Sequence, residues 1–333
     1  MTSVTVADVF ARDGLQALRH EGGWRMPTTD DKVAVIAALD AAGVPEIEIT
    51  GFAHPRVIPS LADAELVAQT VLGRPHRAVL RALVPNLRGA ERALDCGVAK
   101  LVGLVVLSET YERLNANRSV ADGLAELARV AERASRAGAE LAVGVATAFH
   151  CPYEGLIGES RLFDLLDRVA ACGVTEVVLA DSVGLAGPGL VRERCLAVRS
   201  RFPQLSLGLH LHNLGGFALA SAFAALEAGV DRFDGSVGGI GSGITMPLAA
   251  ARLGNVATED LVALFESVGA TTGIDPAAIA DLGGVVQRLL GAPGASYAAG
   301  YGTAARVLEA GRAALPALQT TPPGVSRLQE VPR

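Results

Sequence analysis

Two histidines two positions apart, His210 and His212, carry the sharpest chemical signal in this 333-residue chain. In an extended strand, residues i and i+2 point to one face with Cα atoms about 6.6 Å apart. Two imidazoles at that spacing converge on one cation. They close the apolar run 205–212 (LSLGLHLH), and Asn213 follows. Other polar residues also stand where apolar runs end or just beyond: Arg12-Asp13-Gly14, Glu48, His54, Thr147, His150, Cys151, Asp181-Ser182 and Asn255. Asp13, His210, His212 and Asn255 offer one carboxylate, two imidazoles and one amide oxygen. That set leaves coordination positions open and suits Mn2+, Mg2+, Co2+ or Fe2+. Structural zinc fits less well, because no Cys takes part. Arg12 has the charge to stabilise an enolate or carboxylate oxygen. Glu48 and Asp181 suit acid–base transfer or the orienting of ligands. Neutral imidazoles at His54 and His150 suit donation to a carboxylate or proton transfer near pH 7. The plain alternatives are solvated carboxylates, surface histidines and an ion pair at a barrel mouth.

What positions these residues is an alternation of short strands and amphipathic helices with a period of roughly thirty residues. Strand-like runs cover 3–12, 46–51, 77–84, 100–107, 140–148, 176–182, 205–212 and 232–238. Their Val, Leu and Ile content suits parallel strands covered on both faces. Thr29 is the expected N-cap of a helix over Asp30–Ala42 that stops at Gly43. Further helices are expected over 61–72, 89–96, 119–137, 159–172, 187–201, 215–228 and 258–269. Eight such units predict an α/β fold, a (β/α)8 TIM barrel, and catalysis at the C-terminal strand ends. An open doubly wound sheet fits less well, since eight regular units carry no edge signal. The barrel is expected over 1–273 and appended C-terminal helices over 274–314. The proline-bearing stretch 315–333 is expected to be a flexible tail.

Half the residues are hydrophobic and 19% are charged, so a large core forms and wholesale disorder is excluded. The net charge is −6, and all basic residues except Lys32 and Lys100 are arginine, with no basic run. Nucleic-acid binding through a basic face is thereby disfavoured. No run reads as a membrane span, and the start of the chain reads as a strand rather than a secretion signal. Cys96, Cys151, Cys172 and Cys195 form no CxxC and are expected to be reduced in a cytoplasmic protein. The stretch Gly238-Gly239-Ile240-Gly241-Ser242-Gly243 is expected to be a mobile lid rather than a nucleotide site.

These residues and their order resemble the 3-hydroxy-3-methylglutaryl-CoA lyase family, within the wider DRE-TIM metallolyases. The likeness runs from about Val4 to Gly273. It is carried by Arg12-Asp13-Gly14-Leu15-Gln16, Ile47-Glu48-Ile49-Thr50, Pro85-Asn86-Leu87 and Cys151-Pro152-Tyr153-Glu154-Gly155. Leu179-Ala180-Asp181-Ser182-Val183-Gly184, His210-Leu211-His212-Asn213 and Gly254-Asn255-Val256-Ala257-Thr258-Glu259-Asp260-Leu261 complete it. The resemblance implies metal ligands Asp13, His210, His212 and Asn255, and Arg12 as oxyanion stabiliser. It also implies active-site carboxylates Glu48 and Asp181, and Gln16 close to metal or substrate. It implies Mg2+ or Mn2+ first, then Co2+, Fe2+ or Zn2+.

The departures are specific. Gly243 stands where the family carries a loop Cys, and Arg19 where it has a Lys. His54 and His150 replace small residues, and Asn213 follows His212 as in the Claisen synthases. The expected activity is therefore metal-dependent carbon–carbon cleavage, retro-Claisen or retro-aldol, of a 3-hydroxy acid or its CoA or carrier-protein thioester, other than 3-hydroxy-3-methylglutaryl-CoA. Arg19, His54, Thr147 and Asn213 are expected to touch the substrate, and Arg12, Glu48, Asp181 and His150 to serve catalysis. A homodimer without nucleic-acid or membrane partners is expected. Cleavage and condensation use the same residues, so an aldol- or Claisen-type condensing enzyme stays open, as does a silent barrel kept for binding.

Overall fold

The structure is a computed structural model that describes residues 2–16, 18, 24–241, 254–291 and 294–320. Eight parallel strands close into a barrel in sequence order. We number them β1 (Thr5–Asp8), β2 (Glu46–Gly51), β3 (Val79–Val84), β4 (Lys100–Val106), β5 (Glu140–Ala146), β6 (Glu176–Asp181), β7 (Ser206–Leu211) and β8 (Arg232–Gly235). Closure is made by β1 against β8, with Ala7 opposite Asp234, and β8 aligns Asp234 with His210 of β7. The closed barrel expected from the sequence is thus observed, and the open sheet is excluded.

Local chemistry explains the helices around it. Helix α1 (Thr29–Ala41) begins with a reciprocal cap between Thr28 and Asp31. The N-cap is Thr28, one residue before the Thr29 expected, because Thr28 accepts the Asp31 amide. Helix α2 (Ala64–Leu72) starts three residues later than expected, since a 3-10 turn occupies Pro59–Leu61. Helices α3 (Leu87–Asp95) and α4 (Glu109–Ala116) follow β3 and β4, each capped by a side chain, Asn86 and Ser108. Helix α5 (Val120–Ala137) is capped by Ser119 and stops at Gly138 with φ +68°. Helices α6 (Glu159–Ala171), α7 (Pro188–Arg201) and α8 (Ala218–Glu227) complete the ring with α9 (Thr258–Ser267). Helices α10 (Pro276–Leu290), α11 (Ala298–Tyr301) and α12 (Ala304–Thr320) are the appended set, and α12 continues six residues beyond 314. Residues 321–333 of the expected tail lie outside the described residues.

Two expectations are corrected. The run 3–12 is strand only over Thr5–Asp8. Phe10–Gly14 instead forms one π-helical turn, in which the Asp13 and Gly14 amides both donate to the Val9 carbonyl. The run 232–238 is strand only to Gly235, after which Val237–Gly239 makes a 3-10 turn. A short hairpin, His150–Cys151 against Gly155–Leu156, was not anticipated. Among the described residues no helix is long and apolar enough to cross a membrane.

The apolar core lies mainly between barrel and helices, with Phe10, Ile47, Leu101, Val143, Leu179 and Leu209 all within it. The barrel interior differs. Glu46, Glu48, Arg81, Lys100, His210 and Asp234 are all buried, and ion pairs join them across the lumen.

Candidate metal centre

The C-terminal mouth of the barrel opens into a cavity of about 300 Å3 lined by Arg12, Asp13, Gln16, Glu48, His54, His210 and His212, among others. Asp13 reaches it from the π-helical turn after β1. His210 and His212 reach it from the end of β7, and their ring nitrogens Nε2 face each other at 3.1 Å. Asp13 Oδ2 lies 3.8 Å from His210 Nε2 and 3.5 Å from His212 Nε2. One oxygen and two nitrogens thus fall within 4.8 Å of one another, all buried.

Asn255 joins them through an isolated antiparallel bridge to His212. Its amide nitrogen donates to Asp13 Oδ2 at 2.9 Å and to the Ile240 carbonyl at 3.1 Å. Its buried Oδ1 has no hydrogen-bond partner. An orphaned amide oxygen beside a carboxylate and two imidazoles is a vacant acceptor, and buried polar groups normally find partners. The donor set therefore fits a divalent ion. Gly241 is required here: its φ is +141°, and a Cβ would lie 2.2 Å from Asn255 Nδ2.

The neighbours prepare these groups. His210 Nδ1 lies 3.3 Å from Asp234 Oδ2, which assigns the proton to Nδ1 and leaves a lone pair on Nε2. Burial works against the Asp13 carboxylate, but Arg12 and the two imidazoles outweigh it and hold its pKa far below the usual range. Gln16 donates to Asp13 Oδ1 at 2.5 Å. Arg12 pairs with Asp13 and, through Nε, with Glu48 Oε1. The other Glu48 oxygen accepts from Arg81 at 2.9 Å, so both are held by guanidinium groups. Burial lowers the Arg12 pKa, yet Glu48 and Asp13 raise it overall.

Other residues expected at the site make the following contacts. Asp181 accepts amides from Gly184, Leu185 and Ala186. Burial pushes its pKa up despite these bonds. Thr147 is buried with φ +55°, its amide donating to Ser182 Oγ. Asn213 accepts from the Ala218 amide at the start of α8. His150 lies in the hairpin with its buried Nδ1 unpartnered. None of these four lines the cavity as described. His54 does, and the Arg56 amide donates to its Nδ1 at 3.2 Å. Arg19 and Gly243 lie outside the described residues. Sequence reasoning missed Arg81 and Asp234, although a charged residue inside an apolar strand was a signal for both.

A barrel with a carboxylate and two histidines gathered at its C-terminal mouth defines a protein with a candidate metal centre where such barrels do chemistry. Residues 3–286 match the HMGL-like family model, and the chain belongs to that family. It is 36% identical over 302 residues to the (R)-citramalyl-CoA lyase of Chloroflexus aurantiacus, covering 88% of this chain and 93% of that one. It is 37% identical to hydroxymethylglutaryl-CoA lyase YngG of Bacillus subtilis, covering 81% and 88%. A solved HMG-CoA lyase from Acinetobacter baumannii, in complex with coenzyme A and 3-methylmalate, matches with TM-score 0.83 and 33% identity over 91% and 96% of the two chains.

Proposed function

We propose that this chain is a divalent-metal-dependent carbon–carbon lyase that cleaves a 3-hydroxyacyl-CoA thioester to acetyl-CoA and a keto acid. The observation that carries the reading is the convergence of Asp13, His210 and His212 beside Arg12 in the cavity at the barrel mouth. The similarity to two acyl-CoA lyases supports it.

In this reading Asp13, His210, His212 and Asn255 hold Mg2+ or Mn2+. Such an ion acts as a Lewis acid that polarises hydroxyl and carbonyl oxygens. Arg12 stabilises negative charge on the thioester oxygen as the carbon–carbon bond breaks. Gln16 steadies Asp13, and Glu48 steadies Arg12. His54 Nδ1 accepts a hydrogen bond from the Arg56 amide, so a neutral ring carries its proton on Nε2. That N–H is our candidate to meet the substrate carboxylate. It replaces His150 as the imidazole we would place against substrate, because His54 lines the cavity. Gly243 brings no thiol, so the acetyl-CoA enolate that either thioester would release must take its proton from another donor; we place (R)-citramalyl-CoA ahead of 3-hydroxy-3-methylglutaryl-CoA on the longer match to the lyase of that substrate. We take the protein to be a cytoplasmic homodimer.

The test is acetyl-CoA release from (R)-citramalyl-CoA and 3-hydroxy-3-methylglutaryl-CoA with Mn2+ or Mg2+, with and without chelator. We expect chelator-sensitive release that is faster from citramalyl-CoA. Release from the glutaryl thioester should fall roughly 10²–10⁴-fold below that of a Cys-bearing relative, the usual weight of a positioned proton donor. Metal binding without turnover on either substrate or on further 3-hydroxyacyl thioesters would favour the silent barrel instead.

A further inference from the structure

Arg81 is the largest fully buried side chain of the described residues. Strand register places it beside Glu48 of β2, inside the barrel and under the candidate metal centre. Each of its three nitrogens donates to a different carboxylate. Nε reaches Glu48 Oε2 at 2.9 Å, Nη1 reaches Glu46 Oε1 at 2.8 Å, and Nη2 reaches Asp234 Oδ1 at 2.7 Å. Two of those carboxylates continue to the site. Glu48 accepts from Arg12 through its other oxygen, and Asp234 meets His210 Nδ1 through its other oxygen. An unbroken chain of contacts therefore runs Arg12, Glu48, Arg81, Asp234, His210.

We infer that Arg81 is a positioning residue for the metal centre. It fixes Asp234 against His210 and Glu48 against Arg12, so that the ligand nitrogen and the oxyanion-stabilising guanidinium are set by one planar group. The inference rests on the metal reading given above. A planar fork can address three carboxylates at once, whereas an ammonium presents its donors from one point and leaves at least one link slack. Stability alone does not explain the arrangement. A buried ion cluster is often matched or exceeded by packed hydrocarbon of similar volume. What hydrocarbon cannot supply is orientation, and the partners of a metal-bound histidine govern ligand geometry and affinity.

The test measures Mn2+ affinity by the EPR signal of the free ion, which needs no substrate. Wild type, Arg81→Lys, Asp234→Asn and the double variant are titrated, with circular dichroism and apo-protein melting run alongside. Wild type should bind about one ion per chain. Arg81→Lys should stay folded and bind roughly 10–100-fold more weakly, as expected when the partner of a ligating histidine is lost. Asp234→Asn should lose a similar factor. The double variant should be no weaker than the worse single within about threefold, because both changes break one link. Affinity of Arg81→Lys within twofold of wild type overturns the inference, and so does a double variant whose loss is the product of the two. If Arg81→Lys fails to fold, Asp234→Asn decides: unchanged affinity there breaks the link to His210. A wild type that binds no Mn2+ overturns the metal reading itself, and this inference with it.

Discussion

Two sets of buried carboxyl groups in this barrel are made of the same residue types and behave oppositely. At the mouth and in the lumen, Asp13 and Asp234 each lie against a guanidinium, Arg12 and Arg81. Burial favours their protonation, but the opposing charges win and push both pKa values far down. Around the turn that follows β8, Asp8 and Glu259 are as deeply buried and have only neutral donors. Asp8 accepts from Thr258 Oγ1 and the Phe10 and Val237 amides. Glu259 accepts from the Gly238 amide. There burial wins, raising Asp8 to about 6 and Glu259 to about 8. Desolvation is common to both sets, so the countercharge decides which carboxyls stay ionised. The ionised set faces the cavity, where a cation is wanted. The set with raised pKa values ties the glycine turn to α9, where a fixed charge would have no counterpart.

The comparison breaks most severely if the ionised set has no cation to hold. His210→Ala removes one ring nitrogen of the cluster at the mouth while leaving the apolar core between barrel and helices untouched. We expect Mn2+ binding to vanish and turnover to drop by at least about 10³-fold, since a bound ion supplies several kcal/mol of charge stabilisation. The far-ultraviolet spectrum should stay unchanged. A variant that keeps both metal and turnover would remove His210 from the centre.

A smaller effect comes from taking the countercharge from one member of the ionised set. Arg12→Gln should lower kcat about 10²–10³-fold, the usual loss when one oxyanion donor is deleted. It should also bring Asp13 closer to Asp8 in behaviour. Arg12 favours the charged carboxylate, so without it the Asp13 pKa rises and protons compete with metal at higher pH. The acid limb of Mn2+ binding should therefore move upward in pH. An unmoved limb would show that the imidazoles alone keep Asp13 ionised.

The sequence made the barrel legible because most βα units repeat the same punctuation, a Gly-closed helix followed by a short Val- and Leu-rich run. The cluster of Asp13, His210 and His212 was legible because i, i+2 spacing and strand ends are local features. The hub at Arg81 was not. Its contacts join positions 33 and 153 residues apart, and the register between β2 and β3 and the closure of the barrel, which sets β8 across the lumen from β3, bring them together. The strand-end rule also marked Asp181, Thr147 and Asn213 without revealing that their side chains bond to backbone groups. Whether a polar side chain is free or spent on the main chain depends on loop geometry, which composition does not encode.

The smallest effect concerns Glu259 of the second set and needs no substrate or metal. A carboxyl whose pKa is about 8 when folded, against about 4.3 unfolded, binds its proton more tightly in the folded state. Folding is then helped below about pH 4.3, and that help is lost as pH rises through 8. Between pH 6 and pH 8 the loss amounts to about 2 kcal/mol for this one group. Glu259→Gln keeps an oxygen to accept the Gly238 amide but cannot ionise. Unfolding free energies measured with urea at pH 6 and pH 8 should therefore fall by about 2 kcal/mol more in wild type than in the variant. Histidines and other groups titrate equally in both proteins, so the difference isolates Glu259. Equal losses would mean that Glu259 is already ionised at pH 6. Burial among neutral donors would then not suffice to separate the two sets of carboxyls.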